Sequence, residues 1–120
     1  MRLLVVGGPG FLVNLDRQEH TVIPSNYEGA VARFYAEKPD IVLVSVIENS
    51  DMGPQIIQYI KLTPTPCLAV ILSEHPSTAM FAASKAEADR ILINPTQMEI
   101  ATTVADLTRP TRHQESRQGG

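Results

Sequence analysis

The sequence predicts an α/β fold in which a parallel sheet lies between helices, and three observations predict it. Short apolar runs recur along the 120 residues, the strongest are continuous rather than alternating, and segments of helical periodicity separate them. A strand covered on both faces has no polar face to alternate with, so continuous runs mark the central strands of a parallel sheet. Strands that alternate with helices through right-handed crossovers stack into three layers.

The first run, Arg2-Leu3-Leu4-Val5-Val6, ends at Gly7-Gly8-Pro9-Gly10. Phe11 to Arg17 leaves room for about two turns at roughly 3.6 residues each, so the first helix is short or replaced by a loop. Thr21-Val22-Ile23 is a weaker strand, suited to an edge. Tyr27 to Glu37 places Ala30, Val31, Phe34 and Tyr35 on one side of a helix, with Ser25 or Asn26 as its N-cap. Pro39-Asp40 introduces the strand Ile41 to Ile47. Met52 to Lys61 carries the stripe Ile56, Ile57, Ile60, with Asp51 as cap and Pro54 in the first turn. Cys67 to Leu72 is the third strong strand, and Cys67 reads as a small buried hydrophobe.

Ser77 to Ala88 gathers Ala79, Ala82, Ala83 and Ala86 on one narrow helical face. Phe81 and Ala88 then fall nearly opposite, flanked by Ser84 and Lys85. If the alanines pack on the sheet, Phe81 faces solvent; if the helix is rotated, Phe81 is core. Arg90 to Ile93 is a short strand, and Thr96 to Thr108 repeats Ile100, Val104 and Leu107 at helical spacing. One domain over 1–109 accounts for these elements. Residues 110–120, which lack any apolar side chain after Pro110, read as a disordered tail or linker.

Composition excludes several classes. An apolar fraction of 43% is too high for a disordered chain. A net charge of −3 with no basic run argues against a nucleic-acid surface. A single Cys forms no internal disulfide and has no partner His at metal-site spacing. No apolar run nears the ~18 residues of a membrane span, and no leader-like segment opens the chain. A cytoplasmic location is the expectation.

In an open α/β sheet the working groups gather at the carboxyl ends of the strands. Those ends here carry Gly7 and Gly8, Ser45, Ser73 and Asn94. With the βα alternation, Pro39-Asp40 leading into Ile41-Val42-Leu43-Val44, Ser73 closing Val70-Ile71-Leu72, and Asn94-Pro95 opening the last helix, the chain resembles a response-regulator receiver (CheY-like) domain over roughly residues 1 to 109. The resemblance implies a flavodoxin-like (βα)5 sandwich with sheet order 2-1-3-4-5, here with a shortened first helix. It also implies a cis Asn94–Pro95 peptide.

What the family uses falls on residues unable to serve. The Mg²⁺-binding acidic pair matches Gly7-Gly8, the phospho-accepting Asp matches Ser45, and the Lys that contacts the phosphoryl group matches Asn94. The hydroxyl residue survives as Ser73, and the aromatic switch position reads Ile91. Glu48 and Asp51 lie beyond the strand end and do not rebuild the acidic set. Mg²⁺ needs oxygen ligands, usually carboxylates, and acyl-phosphate formation needs a carboxylate nucleophile. The expectation is a pseudo-receiver with no cofactor, no Mg²⁺ and no catalytic residue. Its degenerate phosphorylation pocket comprises Gly7, Gly8, Ser45, Ser73, Asn94 and Pro95.

The glycine-rich turn does not match a dinucleotide fingerprint or a P-loop, and it reads as a tight strand-to-helix turn needing positive φ. Ser45 has no base within a recognisable triad and reads as a polar filler. Receivers engage partners through the face made by their fourth helix, fifth strand and fifth helix. The leading expectation is therefore a non-enzymatic module that binds a protein partner, or itself as a homodimer. The residues concerned are Met80, Phe81, Ser84 and Lys85, with Arg90, and Gln97, Ala101 and Ala105 on the last helix. The alternative is a sensor in which the uncharged former phosphorylation pocket holds a small ligand or anion. An enzyme on this frame has no assembled acid, base or nucleophile.

Overall fold

Every residue of Ile41–Ser45 is buried, because this strand occupies the middle of a five-stranded parallel sheet. The computed structural model describes residues 1–7 and 20–108. Its strands are β1 (Arg2–Val6), β2 (Thr21–Ser25), β3 (Ile41–Ser45), β4 (Leu68–Ser73) and β5 (Arg90–Ile93). They lie in the order β2-β1-β3-β4-β5, the predicted one. The helices described are α1 (Ala30–Glu37), α2 (Met52–Leu62), α3 (Pro76–Lys85) and α4 (Gln97–Thr108). The expected first helix over 11–17 and the tail over 110–120 lie outside the described residues, as does Gly8.

The continuous apolar runs divide by parity between two cores. Leu4, Val6, Val42, Val44, Ala69 and Ile71 meet Phe34, Ile57, Ile60 and Ala82 on one face. Leu3, Val5, Ile41, Leu43, Val70 and Leu72 meet Ile100 and Val104 on the other. Each fully buried side chain of this size contributes about 1.5–3 kcal/mol, so the register Val6↔Val44 and Val44↔Ile71 is strongly specified.

Boundaries depart from expectation for identifiable reasons. Pro24 sits inside β2, tolerated because an edge strand has one unpaired side. Asn26 Oδ1 accepts from the Gly29 N–H at 2.7 Å and closes a turn, so α1 starts at Ala30 rather than Tyr27. Asp51 makes no capping bond; Ser50 Oγ accepts from the Met52 N–H instead. At α3, Pro76 takes a first-turn position and Ala86 is extended (φ −146°, ψ 139°). The helix therefore ends at Lys85, and Ala88 packs against the core instead of facing away. Burial of Ala79, Ala82 and Ala86 leaves Phe81 on the outer side.

The expected cis Asn94–Pro95 bond is absent: no described peptide is cis. Asn94 itself turns the chain, with φ +48°, a left-handed conformation that Asn tolerates better than most residues.

Candidate functional site

Parallel pairing brings the carboxyl ends of β1, β3 and β4 to one edge of the sheet. The Gly7 N–H donates to Ser25 O at 3.0 Å and the Val46 N–H to Leu72 O at 2.9 Å, which extends both ladders by one residue. Gly7, Ser45 and Ser73 thus line one cleft of about 340 Å³.

Gly7 is held at φ +88°, where a side chain is strained. A Cβ added there would lie 2.5 Å from Tyr27 Oη and 2.6 Å from its Cζ. The Tyr27 ring therefore occupies the space into which a side chain at position 7 would project. Its hydroxyl donates to the Ser45 carbonyl oxygen, and burial raises its pKa. Tyr27 pins the end of β3 from across Gly7.

Ser45 is 8% exposed, and its Oγ is buried without a hydrogen-bond partner among the described residues. Ser73 is differently placed. Its Oγ donates to His75 O at 2.8 Å and accepts from the His75 N–H at 3.2 Å, closing the turn into α3. Thr78 on the first turn of α3 is also buried against the cleft.

Asn94 does not share this cleft. It is exposed, and it joins the set only through its N–H, which donates to Ser73 O at 2.6 Å. Pro95 is buried and turns the chain toward α4. The pocket is not uncharged either: Glu48, Glu74 and His75 line it from exposed positions. No Lys or Arg is among its described lining residues. Glu74 and His75 directly follow the strand-end Ser73, so reading two residues past each strand end finds them. Tyr27 carries no such signal, since only the β1–β2 pairing brings it over Gly7.

No group of three or more His, Cys, Asp or Glu side chains able to hold a metal exists among the described residues. No described nucleophile–base contact forms either, because Ser45 Oγ makes no hydrogen bond. Cys67 lies away from the cleft, half-buried at the start of β4, and burial pushes its thiol up to about 11.

The second group of candidate residues lies on α3, β5 and α4. Met80 is 71% and Phe81 43% exposed, and Lys85 Nζ sits 5.2 Å from the Phe81 ring centroid. Ser84 Oγ donates back to Phe81 O at 2.6 Å. Arg90, Ala101 and Ala105 are exposed and Gln97 is half-buried. Ile91 and Ile93 on β5 and Met98 on α4 are exposed as well. The short apolar pattern of Ile91 and Ile93 reads as core, and the edge position of β5 leaves them uncovered.

This architecture is similar to that of the receiver domains of response regulators. The BeF3-activated N-terminal receiver domain of RstA from Klebsiella pneumoniae superposes with a TM-score of 0.71 at 15% identity, covering 91% of this chain and all (100%) of that one. The REC domain of AraT, a response regulator from Geobacillus stearothermophilus, gives 0.71 at 17% identity, with 98% and 97% covered. A two-component response regulator from Clostridium difficile gives 0.69 at 20% identity, with 92% and 98% covered. These likenesses establish the fold. No family model matches the sequence, and no curated protein matches it. No helix of the described residues is long and apolar enough to cross a membrane.

Proposed function

We propose that this chain is a receiver-type signalling module that is not phosphorylated on aspartate and acts by binding a protein through the face of α3, β5 and α4. The observation that carries the first half is Tyr27 packed over Gly7 beside Ser45. Position 7 has no room for a Mg²⁺-binding carboxylate, and the end of β3 offers a hydroxyl where the fold's chemistry needs a carboxylate. Asn94, outside the described cleft lining, supplies no cation for a phosphoryl group.

The second half is supported by what remains exposed. Met80 and Phe81 on α3, Ile91 and Ile93 on β5 and Met98 on α4 are exposed apolar side chains, and Lys85 and Arg90 are exposed on the same elements. Aromatic and Met side chains with a neighbouring cation are the usual anchors of protein interfaces.

Incubation of the full chain with acetyl phosphate and Mg²⁺, followed by intact-mass measurement, tests the reading. The mass is expected to stay unchanged. A hydroxylamine-labile phosphoryl adduct overturns it.

A further inference from the structure

The cleft between β1, β3, β4 and the start of α3 combines three features that together specify a ligand. Its buried side holds Ser45 Oγ, a polar atom without a partner among the described residues, in a residue that is 8% exposed. Buried hydroxyls are nearly always hydrogen-bonded, and leaving one unpaired costs about 1–3 kcal/mol. Its wall is apolar, from Val46, Ile47 and Leu72. Its exposed rim carries the Glu48 and Glu74 carboxylates and the His75 ring, with no Lys or Arg among the described lining residues.

We infer that this cleft binds a small organic cation: a primary ammonium on a short aliphatic stem that ends in a hydrogen-bonding group. Charge decides the sign. The start of α3 contributes a fractional positive charge, but the two carboxylates outweigh it, so a phosphate-like anion is disfavoured. Size and donor set decide against a bare metal ion. About 340 Å³ falls within the range of small-molecule sites, and no cluster of three metal-ligating side chains exists among the described residues. An ammonium on the rim satisfies the carboxylates, a stem covers the apolar wall, and a terminal hydroxyl reaches Ser45 Oγ. The inference builds on the pocket being free of phosphoryl chemistry, which the acetyl phosphate experiment tests separately, and it is independent of the partner face.

Three molecules of equal length, one cationic, one neutral and one anionic, provide the test: 3-amino-1-propanol, 1,3-propanediol and 3-hydroxypropanoate. Each is titrated into the ¹⁵N-labelled full chain while amide shifts are followed. The amine is expected to move the amides of Gly7, Ser45 and Thr78 in a saturable way, and the diol and the acid are not. Glu48→Gln and Glu74→Gln, both at exposed positions, are each expected to weaken amine binding by about tenfold, the loss of one charge-assisted hydrogen bond. Ser45→Ala is expected to weaken it several-fold while leaving the remaining spectrum in place. Equal response to the diol, response to the acid, saturable shifts at these amides with MgCl₂ alone, or no response to the amine each overturns the inference.

Discussion

At the scale of single residues, one pair explains why the strand ends look as they do. Gly7 and Tyr27 are 20 positions apart in sequence, yet the ring lies where a Cβ at position 7 would be. Gly7 was legible as a turn residue, because four residues of Gly-Gly-Pro-Gly announce one. Tyr27 was not, because its position depends on β2 pairing in parallel with β1. Gly7→Ala is expected to cost about 2–3 kcal/mol, combining left-handed strain with displacement of the ring. The two contributions separate in a double-mutant cycle by chemical denaturation. In a Tyr27→Ala background, Gly7→Ala should cost only about 1 kcal/mol, the strain alone. Equal costs in both backgrounds would show that the ring does not occupy that space. The same geometry implies that Gly7→Asp with Ser45→Asp does not by itself recover a Mg²⁺ site while Tyr27 is present.

At the scale of elements, α3 separates what periodicity reveals from what it leaves open. The alanine stripe correctly indicates the packed face, and Ala79 and Ala82 are each 1% exposed. Periodicity does not indicate where the helix stops, since Glu87 and Ala88 are acceptable helix formers; the entry into β5 imposes the break at Ala86. The start of α4 carries a signal that its hydrophobic repeat does not use. Thr96 Oγ1 accepts from the Glu99 N–H at 3.1 Å while Glu99 Oε1 accepts from the Thr96 N–H at 2.8 Å. That reciprocal pair is the capping box written as Thr-x-x-Glu. The close approach of α3 to the sheet gives neighbouring positions opposite expectations. Ala82→Leu has no space to fill and should cost about 1–3 kcal/mol. Phe81→Ser removes an exposed ring and should change stability by no more than about 0.5 kcal/mol. Thermal unfolding of the two variants checks this, and a larger loss for Phe81→Ser would mean that α3 is rotated from the described orientation.

At the scale of the whole molecule, Asp40 and Asp89 bind backbone at the opposite end of the sheet from the cleft. At the amino ends of the strands, Asp40 Oδ2 accepts from the Arg2 N–H at 2.9 Å, and Arg2 also pairs with Glu37. Asp89 Oδ2 accepts from Lys61 Nζ at 2.7 Å and from the Ala69 N–H at 2.8 Å, while Lys61 also donates to Cys67 O. One carboxylate thereby joins the end of α2 to the starts of β4 and β5. The strand order and both core faces were legible because parity within continuous apolar runs can be read directly. These cross-element bonds were not, since Lys61 and Asp89 lie 28 residues apart with no pattern connecting them.

Burial alone would raise the Asp89 pKa, but the Lys61 ammonium and the Ala69 N–H outweigh it and hold the carboxyl below its usual value. A carboxylate whose pKa is lower in the folded state contributes stability that is present above its unfolded pKa of about 3.9 and is lost as pH falls through the folded value. Asp89→Asn should therefore lower stability by about 1 kcal/mol at pH 7, the modest size reflecting side chains that remain 32% and 31% exposed to screening water. For a domain of this length that corresponds to a fall in Tm of about 5 °C. The difference between wild type and variant should shrink as pH is lowered below about 4 and vanish once Asp89 is protonated in both states. Denaturation curves at pH 7, 5, 4 and 3 measure it. A gap that stays constant across that range would mean that Asp89 acts through packing or neutral hydrogen bonding rather than through its charge.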